Sequence, residues 1–522
     1  MMFRLRVGLL MSMSCLALAQ FSRQGPANPR GLPAEQNRSS QPAPEETPTF
    51  RSVTRLVQVD VVVRGKDAPV EGLTQADFEV KDNGKPQNIA VFAVRKVDAN
   101  PPKMQALPAG VATNRPMLPG PEPVAATILF LDRLSTSPAL QETAREQAIK
   151  FVKRLNRHDP VAIYALNNDV KIVQPFTDDR DALLRALENS RPELPFIPMD
   201  TPGAPQRIAE VTTAAFQSLM RQLKGFPGRK KLIWMAARLP VRARQDGSFN
   251  EPKNETTKVL TVSGAARLLN DANTAFYPVN MLGVLPYIVS GGGNAGDLAL
   301  MSGGRAFYGD NALDIGLEQA IADTDTTYTL GFYQPPTAID GQYHSITVNV
   351  LRTRPAAKGI KEVRYRQGYD AEQQRKEPLT EKQRTGTLNA LVREALDATA
   401  IGIQAAAVPA KNKPGYYDVE VAVDISGLQL EQKNGRRIGS FDLSVVPDME
   451  NPKGLHQVFA VNLKEENYAN ALASGITVIN QVKVVDAKGK PLSKILHFVV
   501  MDRTTGKAGS VRIPMDPVSA AK

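Results

Sequence analysis

Apolar runs of strand length alternate with helix-patterned segments from residue 125 to residue 280, and this alternation constrains the fold more than any other feature. The run TILFL at residues 127–131 is continuous and apolar, which is typical of a strand buried on both faces of a parallel sheet. A segment with helical spacing follows from Pro138, and proline suits the first turn of a helix. Strand and helix repeated in this order predict an α/β fold with a doubly wound sheet, whose ligands bind at the carboxyl ends of the strands.

The same patterns predict the other elements of this region. Strands are predicted at 161–166, 170–173, 231–235 and 274–279, and helices at 138–155, 181–187, 206–223 and 262–273. Asp178 or Asp179 is expected to cap the helix at 181–187. We expect the region, bounded at residues 124–370, to be closed by short strands near 304–307 and 327–333 and by the segments 344–350 and 363–366.

Segments with β patterning flank this region on both sides. Residues 51–98 contain strand-like runs around the turn Asn83-Gly84, a strong hairpin signal, and predict a small domain resembling a β-sandwich. Residues 406–516 contain alternating segments separated by Gly, Pro and Asn turns, which predict an antiparallel β-sandwich. Composition predicts a disordered linker at 20–50 and a Pro/Ala-rich linker at 99–123. A third linker is predicted at 371–405, and it contains a helix near 388–400.

The N-terminal segment MMFRLRVGLLMSMSCLALAQ predicts a Sec-type signal peptide, residues 1–19, cleaved after Ala19. A membrane anchor is less suitable, because about 13 apolar residues are too few to span a bilayer. A lipoprotein modified at Cys15 is an alternative, although the preceding Ser-Met-Ser matches the required small-residue motif poorly. Cleavage would remove the only cysteine and lower the formal net charge from +11 to +9. We therefore expect a secreted or periplasmic protein with no transmembrane helix after signal removal.

Composition and motifs argue against several functions. One cysteine and four histidines, none in an H-E-x-x-H arrangement, leave little for a zinc, redox or histidine-based metal site. The sequence contains no G-x-S-x-G motif and no P-loop, and GGGNAG at 291–296 comes too late in the α/β region for a dinucleotide site, so we predict a flexible loop there. Basic and acidic residues are interspersed, which argues against nucleic-acid binding. The sequence thus predicts a non-enzymatic protein without a cofactor.

Motifs spread over residues 50–370 resemble secreted bacterial proteins with a von Willebrand factor A-related domain, of the type described from acidobacteria. The resembling motifs are VVVRGKDAPVEGLTQADFEVKDNGKPQ (61–87), TILFLDRLSTS (127–137), FTDDRDALLRAL (176–187), PGRKKLIWMAARLP (227–240), LNDANTAFYPVN (269–280), SGGRAF (302–307) and YTLGFYQP (328–335). The resemblance implies a Rossmann-like, von Willebrand A-type doubly wound sheet, which usually serves as a binding module. It implies no established activity.

The resemblance also implies a metal-ion-dependent adhesion site. Such a site combines Asp-x-Ser-x-Ser after the first strand with a Thr and an Asp from two other loops, and these oxygen ligands suit Mg²⁺ or Mn²⁺. Here Asp132 and Thr136 keep the first and last positions, but Leu134 replaces the middle hydroxyl. Arg238 follows two alanines where the last Asp is expected, and a guanidinium repels a divalent cation.

This departure predicts a degenerate adhesion site. We predict that Arg238 pairs with Asp132 in place of a metal, since both follow strands of the sheet. The alternatives are that Arg238 points into solvent, or that Asp132 and Thr136 do bind Mg²⁺ or Mn²⁺. The candidate ligand-binding residues are Asp132, Ser135, Thr136, Ser137 and Arg238.

The function predicted from the sequence is an exported, adhesion-type protein-interaction module. Its partner is predicted to be an unidentified extracytoplasmic protein. Two alternatives stay open: an envelope polymer hydrolase that uses carboxylates at the strand ends, and a structural scaffold that self-associates. A metal titration followed by thermal stability distinguishes a working adhesion site from a degenerate one.

Overall fold

The computed structural model describes residues 55–515 except 67, 97–106, 109, 116–125, 156–159, 194–195, 199, 240–259, 283–291, 308–325, 335–339, 352–356, 358, 372–377 and 448–453. The predicted signal peptide (1–19) and linker (20–50) lie outside the described residues, as does most of the predicted linker at 99–123.

The described strands and helices are numbered in chain order. The strands are β1 (Arg55–Arg64), β2 (Phe78–Asp82), β3 (Lys85–Gln87), β4 (Val91–Lys96), β5 (Val111–Thr113), β6 (Thr127–Asp132), β7 (Val161–Leu166), β8 (Val170–Thr177), β9 (Lys230–Ala236), β10 (Thr274–Asn280), β11 (Thr326–Gln334), β12 (Tyr343–Val350), β13 (Glu362–Arg364), β14 (Gly368–Asp370), β15 (Ile403–Pro409), β16 (Tyr416–Val423), β17 (Glu431–Lys433), β18 (Arg436–Val446), β19 (Leu455–Lys464), β20 (Ile476–Lys483), β21 (Ile495–Asp502) and β22 (Ala508–Pro514). The helices are α1 (Pro138–Arg154), α2 (Arg180–Asn189), α3 (Ala204–Leu223), α4 (Val262–Asp271), α5 (Gly292–Met301), α6 (Glu381–Arg393) and α7 (Glu465–Ser474).

The central sheet has the order β10-β9-β6-β7-β8, and its strands are parallel except for β8, which runs antiparallel to β7. Successive residues of β6 point to opposite faces, so Phe130 packs in one core cluster and Leu129 in another. Both faces are therefore covered, as the continuous apolar runs predict. Asp179 caps α2 by accepting hydrogen bonds from two backbone N–H groups, which confirms one of the two predicted caps.

The strands after the α/β region do not close that region, and this corrects the predicted membership of residues 326–370. Strand β11 pairs with β1 and β4, while β12 pairs with β2 and β14. The resulting sheets, β13-β1-β11-β4 and β14-β12-β2-β3, share one core. The central sheet and its helices are thus inserted into a sandwich built from both sides of the chain.

Local signals in this sandwich agree with the sequence. Asn83 and Gly84 have φ angles of 47° and 78°, and they connect β2 to β3 as the predicted hairpin turn. The pairing of β1 with β11 is reinforced by side chains, because Thr329 donates a hydrogen bond of 2.6 Å to the buried carboxylate of Asp60.

The C-terminal region forms two antiparallel sheets around a common core. Strands are present in each of the predicted alternating segments, and β15, β17 and β22 are added to them. Strand β5, within the predicted linker at 99–123, pairs with β15 at the edge of the first sheet. The buried amide of Asn114 fastens this segment by donating to the backbone oxygens of Ala398 and Ile401 at 2.8 and 2.7 Å. Part of the predicted linker is therefore a strand of this sandwich.

Two other local predictions are wrong. Residues 292–296, predicted as a loop, begin α5, because Leu298 and Ala299 bury in the α/β core and tertiary packing outweighs the low helix propensity of glycine. The helix predicted near 388–400 is α6, which begins at Glu381 behind a capping box formed by Thr380 and Gln383. None of the described helices is long and apolar enough to cross a membrane.

Candidate binding site at the ends of β6 and β9

The carboxyl ends of β6 and β9 lie side by side, where the strand order of the central sheet reverses. The chain leaves β6 toward β7 and β8 on one side and returns to β9 on the other. Such a reversal opens a crevice outside the strand ends, because the two loops leave in opposite directions. The β6 loop, residues 133–137, and the β9 loop, residues 237–239, therefore define the candidate site.

Asp132 is the last residue of β6 and is buried, with 2% of its surface exposed. Its two carboxylate oxygens accept hydrogen bonds from Ser135, one from the backbone N–H and one from the hydroxyl, both at 2.9 Å. The hydroxyl of Ser135 also lies 3.2 Å from the backbone oxygen of Arg238, in the β9 loop. Ser135 thus connects the carboxylate of the first loop to the backbone of the second.

Thr136 makes a second connection between the loops. Its side chain is fully buried, and its hydroxyl oxygen accepts a hydrogen bond of 3.0 Å from the backbone N–H of Ala237. Ser137 is half-buried and occupies the N-cap position of α1 without a capping hydrogen bond from its side chain. Of the five predicted residues, Asp132, Ser135 and Thr136 are therefore internal, whereas Ser137 and Arg238 are partly exposed.

Burial controls the ionisation of Asp132. Desolvation raises the pKa of this carboxyl from 3.8 to about 6, and the hydrogen bonds that Ser135 donates oppose the rise. The carboxylate is therefore mostly ionised at neutral pH and is stabilised by neutral hydrogen-bond donors.

The structure does not join the side chains of Arg238 and Asp132. Among the described residues, no ion pair links them, and the contribution of Arg238 to the network is its backbone oxygen. The two oxygens of Asp132 accept instead from the backbone N–H and the hydroxyl of Ser135. The predicted ion pair is replaced by hydrogen bonds.

These residues fit a divalent cation poorly. Leu134, in place of the middle hydroxyl, is fully buried in the α/β core, and Thr136 already accepts a hydrogen bond from the β9 loop. Within the described part of the chain, no three His, Cys, Asp or Glu residues are grouped as metal ligands.

The sequence analysis did not predict a role for Gln141, a residue of α1 that holds the β6 loop in place. Its buried amide donates to the backbone oxygens of Arg133 and Thr136 at 3.0 and 2.9 Å, and it accepts from the backbone of Glu193 at 3.1 Å. Arg133 pairs with Glu193 at 3.0 Å. A signal was available, because Gln141 is the polar member of the face of α1 that also buries Ala144 and Ala148.

Comparisons with known proteins give structural neighbours of low similarity. No family model and no curated protein matches the chain. An aerotolerance-related membrane protein from Bacteroides fragilis has a TM-score of 0.26 at 17% identity, covering 38% of this chain and 98% of that one.

Two other neighbours are described as von Willebrand domain proteins. The vWF domain of a type V pilus tip protein from Porphyromonas gingivalis has a TM-score of 0.24 at 11% identity, covering 39% of this chain and 96% of that one. A von Willebrand factor type A protein from Catenulispora acidiphila has a TM-score of 0.23 at 11% identity, covering 85% and 74%. The structural neighbours thus include von Willebrand A domain proteins, and the function of this chain has to be argued from its own site.

Proposed function

We propose that the chain is an exported, non-enzymatic interaction protein whose α/β domain, of the von Willebrand A type, binds an extracytoplasmic protein at the β6 and β9 loops. The binding needs no divalent cation. The observation that carries this proposal is the contact between the two loops: the hydroxyl oxygen of Thr136, which a metal site would need, accepts from the backbone N–H of Ala237, and the hydroxyl of Ser135 lies 3.2 Å from the backbone oxygen of Arg238. The loops are held in place before any ligand arrives, which reduces the entropic cost of binding.

The partly exposed residues of the site indicate the chemistry of the partner. The guanidinium of Arg238 makes no ion pair within the described residues, so its charge is available to a ligand. Ser137 lies beside the first turn of α1 and offers a hydroxyl. We therefore propose that the partner presents an acidic side chain to Arg238, with which a guanidinium forms strong hydrogen bonds.

The test is capture of the partner from intact envelope by the mature chain, followed by crosslinking. Arg238→Glu is expected to reduce capture at least about tenfold, because it places like charges together. The backbone oxygen that Ser135 contacts is unchanged in this variant. Arg393→Glu is the matched control, because Arg393 is exposed on α6 and, like Arg238, makes no ion pair within the described residues. Equal capture by both variants would contradict the proposed site.

The alternatives predict different results in the same experiment. Capture that requires Mg²⁺ and is lost in a chelator favours a working adhesion site. Recovery of only the chain itself, with mass that rises with concentration, favours the scaffold. Hydrolysis of an envelope polymer that is lost on Asp132→Asn favours the enzyme.

A further inference from the structure

A second concave surface lies where the end of α5 meets β12 and the segment between β13 and β14. Its volume of about 680 Å³ is within the usual range for small-molecule sites. Tyr343, Ser345 and Thr347 line it together, because alternate residues of β12 face the same side. His344 and Ile346, which lie between them, are buried in the sandwich, and Ile346 also borders this surface. We call this surface the β12 cleft.

The lining of the β12 cleft is neutral. Its described residues are asparagine, glutamine, serine, threonine and tyrosine with Met301 and Ile346, and none of them is charged. In the whole chain 22% of the residues are charged, so a surface of this size would ordinarily include some. Lys81, which lies opposite Thr347 on β2, is paired with Glu79 at 3.4 Å. An ionised ligand would therefore lose hydration in the cleft without gaining a free counter-ion, and the cleft suits an uncharged, polar one.

Several polar groups of the β12 cleft are uncommitted. Within the described residues, the side chains of Gln342, Thr347 and Gln367 and the hydroxyl of Tyr365 make no hydrogen bond to the protein. Each glutamine amide offers both donors and an acceptor. Neighbouring hydroxyl groups of a sugar ring, which also donate and accept, match this arrangement.

The tyrosine platform of the β12 cleft is fixed in place. Gly368 passes so close to Tyr343 that a Cβ there would lie 2.3 Å from the ring, and Asn270 donates a long hydrogen bond of 3.4 Å to the Tyr343 hydroxyl. The backbone N–H of Gln367 donates to Met301 at 2.9 Å, which holds α5 against this segment. The guanidinium of Arg267 lies over one face of this ring, 5.8 Å from its centre, so the part of the ring that lines the cleft is the part that can pack against the apolar C–H face of a pyranose.

We propose that the β12 cleft binds an uncharged oligosaccharide. The neutral lining, the free amide and hydroxyl groups and the fixed tyrosine ring carry this assignment together. An added peptide strand is less suitable, because the backbone N–H of Ile346 already donates to Gln367 at 2.9 Å. The site is separate from the β6 and β9 loops, so the proposal does not depend on the partner bound there.

The test is calorimetric titration of the mature chain with the neutral hexasaccharides of maltose, cellulose, mannan and xylan, and with hexagalacturonate as the charged comparison. We expect at least one neutral probe to bind with a Kd of about 1 mM or tighter. Gln367→Ala should weaken this binding about tenfold by removing an amide that bonds the sugar. Thr347→Trp, at an exposed strand position that tolerates aromatic residues, should abolish it by filling the cleft.

Gln432→Ala is the matched control, because Gln432 is exposed on β17. A melting temperature close to that of the native chain establishes that each variant keeps the fold. No binding of any neutral probe, binding that both cleft variants leave unchanged, or equal binding of hexagalacturonate would overturn the proposal.

Discussion

Asp132→Asn is expected to stabilise the α/β domain at neutral pH while both of its contacts with Ser135 remain hydrogen bonds. An asparagine oxygen can accept from the backbone N–H of Ser135, as one carboxylate oxygen does at 2.9 Å. The new amide would lie near the Ser135 hydroxyl, which can accept from it and turn its own proton to the Arg238 backbone oxygen 3.2 Å away. The substitution therefore removes a buried charge and reverses one hydrogen bond.

The size of the effect follows from the raised pKa of Asp132. A rise from 3.8 to about 6, at about 1.4 kcal/mol for each tenfold change in proton affinity, corresponds to about 3 kcal/mol. Between these pH values the folded state binds more protons than the unfolded state, so the stability of the native protein falls as pH rises toward 6. Asparagine does not titrate. The advantage of the variant should therefore be small near pH 4 and reach up to about 3 kcal/mol above pH 7.

Urea unfolding at about pH 5 and pH 8, followed by tryptophan fluorescence, measures this difference. The signal is local, because the only tryptophan of the chain, Trp234, is buried in β9 beside this site. Asp200→Asn is the control for the loss of one negative charge, because Asp200 is exposed. A variant that is less stable than the native chain at pH 8, or equally stabilised at both pH values, would refute the account of Asp132 as a desolvated carboxylate.

Three further predictions concern metal binding, a buried lysine and two glycines. Millimolar Mg²⁺ or Mn²⁺ is expected to leave the melting temperature unchanged, and a concentration-dependent rise would show a bound metal. Burial lowers the pKa of Lys230 from 10.5 to about 7. Between these values the unfolded state binds more protons than the folded state, so native stability rises with pH. Lys230→Met should flatten this rise, which urea titrations at pH 7 and about pH 9.5 measure. Gly304→Ala should destabilise by several kcal/mol, because its Cβ would lie 2.0 Å from the backbone oxygen of Phe276. Gly386 lies in α6 with open space around it, so Gly386→Ala should stabilise the protein by roughly 0.5–1 kcal/mol in thermal unfolding. A lower stability of Gly386→Ala would contradict this contrast between the crowded and the open glycine.

The strands and helices of the central α/β region were predictable because the signals for each element are local. Strands buried on both faces are continuous apolar runs, and β6, β7, β9 and β10 lie within a residue or so of their predicted positions. Helix α1 follows from apolar spacing and a proline at its first turn, and α3 ends at its predicted residue and begins two residues before its predicted start. Each of these signals is contained within the residues that form the element.

The insertion was not predictable from such signals, because strand pairing is a long-range property. The run TTYTLGFYQ of β11 has no feature that distinguishes a partner of β1 from a further strand of the central sheet. Asp60 was the one available indication, since an acidic residue in the middle of the apolar strand β1 requires buried partners. Those partners are Thr329 of β11 and Asn273, whose amide donates at 2.8 Å.

At the candidate site, residue types were predictable but the direction of each polar group was not. Spacing placed Asp132 and Arg238 after neighbouring strands, yet the bonds that matter run through Ser135 and the backbone. A carboxylate whose two oxygens are both occupied within its own loop positions that loop and does not reach a ligand. The site then divides into an internal part, which makes the two loops rigid, and a partly exposed part, Ser137 and Arg238, which is the part left to select the partner. Under this division Asp132→Asn should change stability more than binding, whereas Arg238→Glu should change binding more than stability.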